Sequence, residues 1–177
     1  MQHSPPITHS VRSATVRDAK AIARIHAATS QTIQRELFHL DRHSGPSLEE
    51  RQAYWREAVE YSEPQVKVVI EGEAMVGFVG FDRSRDKGTP STTGEIWALC
   101  VLPAHWRQGI GTALWESAQE GLREEGCTRV TVWVPLLDLR ALQFFERVGF
   151  VRDAQSVRAV QVGSARIEEI RLGRELA

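Results

Sequence analysis

Residues 105–115, His-Trp-Arg-Gln-Gly-Ile-Gly-Thr-Ala-Leu-Trp, set Gly109 and Gly111 between a basic segment and an apolar run. A glycine pair that opens a helix is chemistry for an anion. The first backbone N–H groups of a helix have no intrahelical partner and the dipole adds partial positive charge there, which suits a phosphate. Glycine lets that phosphate approach the backbone with no Cβ in the way. Gln108 and Ile110 complete the turn, Thr112 adds a hydroxyl and Arg107 a charge. Two familiar phosphate loops do not fit: a Walker A loop needs a lysine after its last glycine, and none stands here. The dinucleotide pattern Gly-x-Gly-x-x-Gly would put its third glycine at position 114, which is Leu114. An ordinary strand-to-helix turn whose glycines serve packing is the remaining alternative.

Other reactive residue types are sparse. His39 and His43 have i, i+4 spacing, but Gly45 and Pro46 follow and no third ligand stands nearby, so no metal is expected. His105, in the turn before the glycines, reads as solvated. Cys100 and Cys127 lack the CxxC spacing of a metal or redox site and read as buried thiols in a reducing compartment. There is no Gly-x-Ser-x-Gly nucleophile elbow. The 177 residues are 42% hydrophobic and 25% charged, enough for one domain with a sizeable core. A formal charge of -1 gives no reason to expect a nucleic-acid or membrane partner. With no apolar segment near the ~20 residues of a membrane span and no signal-like start, the protein reads as cytoplasmic.

The elements that must position the glycine turn follow from local patterns. Residues 1–10 read as a flexible tail and 11–177 as one domain. A short strand over 10–14 precedes Thr15-Val16-Arg17-Asp18, a capping box opening a helix with Ile22, Ile25 and His26; a second helical stretch runs to about Phe38. Ser47-Leu48-Glu49-Glu50 opens a further helix to about Tyr61, with Tyr54, Trp55 and Ala58 on one side. A hairpin turning at Glu71-Gly72-Glu73 comes next, then a loop over residues 83–93. Gly94 to Pro103 is apolar almost throughout, as in a central strand covered on both faces. After the glycine turn, Ile110, Leu114, Ala118 and Leu122 mark a helix that Gly126 ends. Thr128 to Val134 is a strand, Asp138 caps a helix carrying Ala141, Leu142, Phe145 and Val148, and the tail alternates like a closing hairpin.

Central strand, glycine turn and amphipathic helix together resemble motif A of the GNAT superfamily of N-acetyltransferases, Gln/Arg-x-x-Gly-x-Gly/Ala. Asp-Leu-Arg-Ala-Leu-Gln-Phe-Phe-Glu-Arg-Val-Gly-Phe, 138–150, resembles its motif B. The resemblance covers about residues 11–172. It implies an α/β (α+β) fold with a mixed, mostly antiparallel central sheet flanked by helices. It also implies acetyl-CoA as cosubstrate, and transfer of its acetyl group to a primary amine of a small molecule or peptide by direct attack in a ternary complex.

By that resemblance the pyrophosphate lies on the turn from Arg107 to Thr112, and the pantetheine arm pairs with the backbone from Leu99 through Cys100 to Val101. Asp138 and Phe145 line the same cofactor. Glu95, at the start of the central strand, is the implied general base, with a polar strand end as its alternative role, and period-2 alternation puts it on one face with Trp97, Leu99 and Val101, opposite Cys100. Trp97 bounds the substrate pocket and offers its ring to an ammonium group; packing is its alternative role. Three positions depart from the family pattern. Trp106 stands in the Gln/Arg slot; Asp138 replaces an asparagine and, as a carboxylate, cannot donate; Phe145 replaces the tyrosine that many members use to protonate the leaving thiolate. The last departure keeps a second class open, a non-catalytic CoA or acyl-CoA-binding sensor or regulatory module. Edge-strand homodimers are common in the superfamily, so a homodimer is a further expectation.

Overall fold

The structure is a computed structural model describing residues 8–40 and 44–177. The strands are β1 (His9–Ser13), β2 (Gln65–Glu71), β3 (Ala74–Arg83), β4 (Thr93–Val101), β5 (Arg129–Pro135), β6 (Val151–Val162) and β7 (Ala165–Glu175). The helices are α1 (Ala19–Phe38), α2 (Leu48–Tyr61), α3 (Ile110–Glu124) and α4 (Leu139–Arg147). The seven strands form one sheet in the order β1-β2-β3-β4-β5-β7-β6. Every neighbouring pair is antiparallel except β4 and β5, so the expected mixed, mostly antiparallel sheet flanked by helices is present.

Alternation along the strands gives the sheet two apolar faces. On one, Ile22, Ala23 and Ile25 of α1 and Trp55 and Ala58 of α2 pack on Val66, Val68 and Phe78. On the other, Leu114, Trp115, Ala118 and Leu122 of α3 and Leu142 and Phe145 of α4 cover Val79, Phe81, Ile96, Val130 and Val132. Full burial of side chains such as Phe78, Phe81 and Leu114 stabilises by roughly 1.5–3 kcal/mol each.

Local signals account for most ends. Ser47 Oγ accepts from Glu50 N at the start of α2, and the Glu50 carboxylate accepts from Ser47 N, the reciprocal pair of a capping box. The β2–β3 hairpin closes at Gly72 with φ 64°. Two expectations change. Instead of two helical stretches, α1 is one twenty-residue helix, within which Thr29 and Thr32 turn their hydroxyls back to the carbonyls of Ile25, His26 and Ala28. And the Thr15 capping box opens a short 3-10 turn, with α1 following from Ala19.

A third correction concerns β4. Gly80 pairs with Ala98 but Phe81 pairs with Ile96, so Trp97 is an extra residue, a β-bulge. Alternation therefore resets at Trp97. Ile96, Leu99 and Val101 face α3 and α4, while Ala98 and Cys100 face α1 and α2. Glu95 lies opposite Asp82, two residues on from Gly80, whose Cβ position meets Trp55 of α2. Glu95 thus shares a face with Cys100 and not with Leu99 and Val101, the reverse of simple alternation.

Gly121 shows how closely α3 lies on the sheet. A Cβ there would stand 2.7 Å from the Phe81 ring, which is fully buried and has no room to move. Helix propensity favours alanine over glycine by about 1 kcal/mol, whereas overpacking a filled core costs about 1–3 kcal/mol. Gly121→Ala is therefore expected to lower the urea midpoint, and a raised midpoint would show that α3 is free to lift off Phe81.

Candidate functional site

The parallel ladder between β4 and β5 is short. It runs from Thr93↔Arg129 to Ile96↔Val132 and stops, while β5 goes on pairing with β7 as far as Pro135↔Glu169. Beyond Ile96 the strands splay, and residues 97–101 of β4 keep β3 on one edge and have no strand on the other. The bulge at Trp97 sits where the splay begins, as its extra local twist predicts. The gap is a cavity lined by residues 96–99 of β4, 132–135 of β5, and Ala141 and Phe145 of α4.

At the far end of β4 stands the glycine turn. Arg107 and Gly109 take left-handed backbone conformations, with φ 61° and 80°, and Gly109 N-caps α3. No side chain caps that helix, so its first N–H groups face outward unclaimed. Nothing lies within 4 Å of a Cβ built on Gly109, whereas one on Gly111 would meet the Phe144 ring at 3.0 Å. The two glycines thus do different work: Gly109 makes the turn, and Gly111 lets α4 pack on α3. Arg107, Gln108 and Thr112 are exposed, and Ile110 is core. Trp106 ties the turn down, donating Nε1–H to the Val101 carbonyl at 2.8 Å while the Arg140 guanidinium stacks 3.6 Å from its ring. Asp138 is committed to capping α4, accepting from Ala141 N at 3.1 Å. Phe145 is buried against Phe144 and Phe150 and closes one wall of the cavity.

The α1/α2 face of the gap is polar and charged. The buried Glu95 carboxylate accepts from Arg85 N (3.2 Å), Ser84 Oγ (3.3 Å) and the Arg85 guanidinium (3.1 Å). That guanidinium also covers the Trp97 ring at 3.9 Å, so the face expected to meet an ammonium group is occupied. Across the gap, Trp133 repeats the arrangement: its Nε1–H is shared between both Asp86 oxygens at 3.1 Å, and Arg158 stacks on its ring at 3.9 Å. Arg171, directly across the ladder from Trp133, bridges Asp86 (3.3 Å) and Asp153 (3.2 Å).

Deeper on this face, Trp55 Nε1 and Arg51 Nη1 both point at His26 Nδ1, at 3.1 and 3.0 Å. Both are donors, so Nδ1 accepts and the ring proton sits on Nε2. Burial first, then the Arg51 charge, pushes His26 down to about 4. Cys100 moves the other way: desolvation, partly offset by a Thr29 hydrogen bond and the Arg51 charge, raises its thiol to about 11.

The structure thus places Leu99, Trp97 and Phe145 in the wall of the gap. Cys100, Val101 and the turn 107–112 follow along the chain from β4 to the start of α3, Asp138 stands at the start of α4, and Glu95 lies on the α1/α2 face. Missed by sequence reasoning were Arg51, Arg85, Asp86, Trp133, Arg158 and Arg171. For Arg51 a signal existed: with Trp55 and Ala58 it repeats at i, i+4, i+7, on the buried stripe of α2. Contrary to expectation, His105 is not simply solvated; its Nδ1 lies 2.9 Å from Glu71 Oε2. His43 lies outside the described residues. Among the described residues no three His, Cys, Asp or Glu side chains form a metal-sized group, and no helix is long and apolar enough to cross a membrane.

Comparison with known proteins fits this geometry. Residues 31–150 match the family model described as the acetyltransferase (GNAT) family. The chain belongs to the GNAT acetyltransferase family. Among curated relatives, the uncharacterized N-acetyltransferase YuaI of Bacillus subtilis (strain 168) is 28% identical over 166 residues, covering 92% of this chain and 91% of its own. Of solved structures, an N-acetyltransferase from Staphylococcus aureus Mu50 aligns with TM-score 0.76 and 14% identity over 96% of this chain and 99% of its own. The yncA protein of Salmonella typhimurium, solved with its cofactor acetyl-CoA, gives 0.74 and 20% over 96% and 94%. GNAT membership supports acyl transfer from acetyl-CoA as the reaction class.

The GNAT fold here carries a pH dependence of its own through His26. Its folded value of about 4 lies below the ordinary ~6.5, so between those pH values the unfolded chain binds more protons. The His26 contribution to stability is full above pH ~6.5 and is lost as pH falls toward 4, roughly 3 kcal/mol in all. In urea titrations across that window, His26→Gln should flatten the slope of unfolding free energy against pH; an unchanged slope would assign the dependence to other groups.

Proposed function

We propose that this GNAT chain transfers the acetyl group of acetyl-CoA to a primary amine of a small molecule or peptide, by direct attack in a ternary complex. The observation that carries the reading is the gap that opens between β4 and β5 next to an uncapped helix start. The open N–H groups of residues 110–112 suit a pyrophosphate, with Arg107 adding charge and Thr112 a hydroxyl. The edge of β4 over Leu99, Cys100 and Val101, which has no strand beside it and whose Val101 carbonyl accepts from Trp106, suits the amide groups of a pantetheine arm, which a strand edge pairs with as it would another strand. When bound, acetyl-CoA supplies the activated thioester carbonyl. A backbone N–H near Val101 polarises that carbonyl, and the narrow gap aligns it for attack.

The amine comes from the α1/α2 side, where Glu95 stands. A lysine-like amine with pKa ~10.4 costs roughly 4–5 kcal/mol to deprotonate near pH 7, so a proton acceptor on this face matters. Glu95 fills that role, directly or through one water. His26 does not, because its acceptor nitrogen is already taken by two donors. Cys100 is no acyl carrier: a thiol raised to about 11 is protonated at neutral pH. Arg85, on Trp97 and Glu95 together, positions both, and the incoming ammonium group meets the Glu95 carboxylate rather than the covered Trp97 ring.

Incubation with acetyl-CoA and a panel of amines, followed by thiol release, tests the reading. Release with at least one amine is expected, with Glu95→Gln lowering kcat/KM about 10²-fold or more while stabilisation by acetyl-CoA stays unchanged. Stabilisation by CoA with no release from any amine would identify an acyl-CoA-binding module instead.

A further inference from the structure

Arg51 is 95% buried on the α1/α2 face, with 5% of its surface exposed, and among the described residues no carboxylate lies within ion-pair distance of it. The contrast with the three other arginines described on the α1/α2 face of the gap is sharp. Arg85 faces Glu95, Arg158 faces Glu169, and Arg171 faces Asp86 and Asp153. Among the described residues Arg51 has only neutral partners, His26 Nδ1 at 3.0 Å and Ser30 Oγ at 3.5 Å, and its Nε–H has none. His26 does not become a rival cation, since its Nδ1 accepts two hydrogen bonds. A desolvated charge with no counter-charge is costly, and sites that keep one commonly receive the opposite charge from a ligand.

The surroundings agree. β4 is the middle strand of seven, yet Trp97, Ala98 and Cys100 on the α1/α2 face are only half-buried, as is Ser30 of α1, which Arg51 also touches. Cys100, the third residue pair past the bulge, has the rise of its thiol offset in part by the Arg51 charge, as expected of a guanidinium near that part of β4. Above it, a Cβ on Gly45 would lie 3.4 Å from Arg51 Nη2, and the β6–β7 turn at Gly163 meets the neighbouring Ser44. With Nη1 on His26, the side-on edge formed by Nε and Nη2 remains, a fork spaced for a planar carboxylate.

We propose that Arg51 is the anchor of a carboxylate subsite for the acceptor, so that the amine substrate is an amino acid or another small amine bearing a carboxylate. The inference rests on the acetyl-transfer reading and narrows its substrate class.

The test compares amines with and without the carboxylate: the common L-amino acids, β-alanine and 4-aminobutyrate, each against its primary amide, with thiol release as the signal. The free acids are expected to exceed the amides in kcat/KM by about 10- to 100-fold, the gain residing in KM. Arg51→Met should erase that preference and leave KM for acetyl-CoA unchanged. Its thermal midpoint should equal or exceed that of the wild type, since a buried charge with no carboxylate beside it among the described residues is removed. Arg51→Lys, which keeps the charge without the fork, should lose most of the preference and serves if the methionine variant fails to fold. Independently of transfer, isovalerate is expected to raise the midpoint of the wild type and not of Arg51→Met. Amides used as well as acids, or a preference that survives Arg51→Met and Arg51→Lys, would overturn the subsite while leaving acetyl transfer standing. A midpoint shift that depends on Arg51, with no amine acetylated, would support the subsite and overturn the transfer.

Discussion

The parallel ladder between β4 and β5 closes four residue pairs and then ends at Ile96 and Val132, and the rest of the molecule is arranged around that ending. A sheet interior ordinarily satisfies every backbone group through its neighbours, so an unpaired edge inside a seven-stranded sheet calls for compensation. Here the two strands are held apart from outside. β3 binds β4 along its length, and β7 binds β5 as far as Pro135. The apolar wall of the gap is supplied by α4, whose Phe144 leans on Gly111 and whose Phe145 closes the cavity. Trp106, spanning the Val101 carbonyl and the Arg140 guanidinium, pins the end of β4 to the start of α3. These contacts make the gap a fixed feature and the glycine turn its continuation.

The bulge at Trp97 then decides which chemistry faces which side. One extra residue sends Leu99 and Val101 toward α3, the side of the uncapped helix start, and leaves Glu95, Trp97 and Cys100 toward α1 and α2. A regular strand would have put Glu95 on the side of α3, within the apolar layer. The loop after β3 completes the separation, because Arg85 and Asp86, adjacent in sequence, reach Trp97 and Trp133 on opposite lips of the gap. Both tryptophans are half-buried, and an arginine on each ring covers apolar surface that the splay would otherwise leave to water.

How far this was legible in the sequence differs from residue to residue. Ser47 with Glu50, Gly72, Gly126 and the repeat Ile110-Leu114-Ala118-Leu122 each mark a local event governed by neighbours in the chain, and the elements they predict are there. The glycine turn was legible for the same reason. The bulge was not, because residues 96–102 are apolar at every position and a reset of alternation leaves no trace in a strand covered on both faces. The closing hairpin was legible from its alternation, but the irregularity inside β6 was not: pairing with β7 passes from Asp153↔Arg171 straight to Val157↔Ile170, and nothing in the local pattern marks that step. Arg51 was hidden by its setting in Leu-Glu-Glu-Arg-Gln, which looks like a solvated first turn; only its spacing to Trp55 and Ala58 betrays the buried stripe.

The lopsided distribution of polar groups across the gap matches the energetics of the proposed reaction. On the leaving-group side the cavity offers Leu99, Val132, Val134, Ala141 and Phe145, with no side-chain proton donor among them. A thiol with pKa ~8.5 leaves as thiolate near pH 7 for only about 2 kcal/mol, so an apolar wall there costs little, and a phenylalanine at 145 is compatible with the proposed reaction. On the other side the same pH charges an amine for roughly 4–5 kcal/mol before it can attack. That is the side on which Glu95 is held by three hydrogen bonds and Arg85 fixes it against Trp97. A buried carboxylate so fixed cannot swing to meet its substrate, so the substrate must be brought to it in register. In the proposed reaction a second fixed charge on the same face would supply that register, with Glu95 meeting the ammonium end of the acceptor and Arg51 its anionic end.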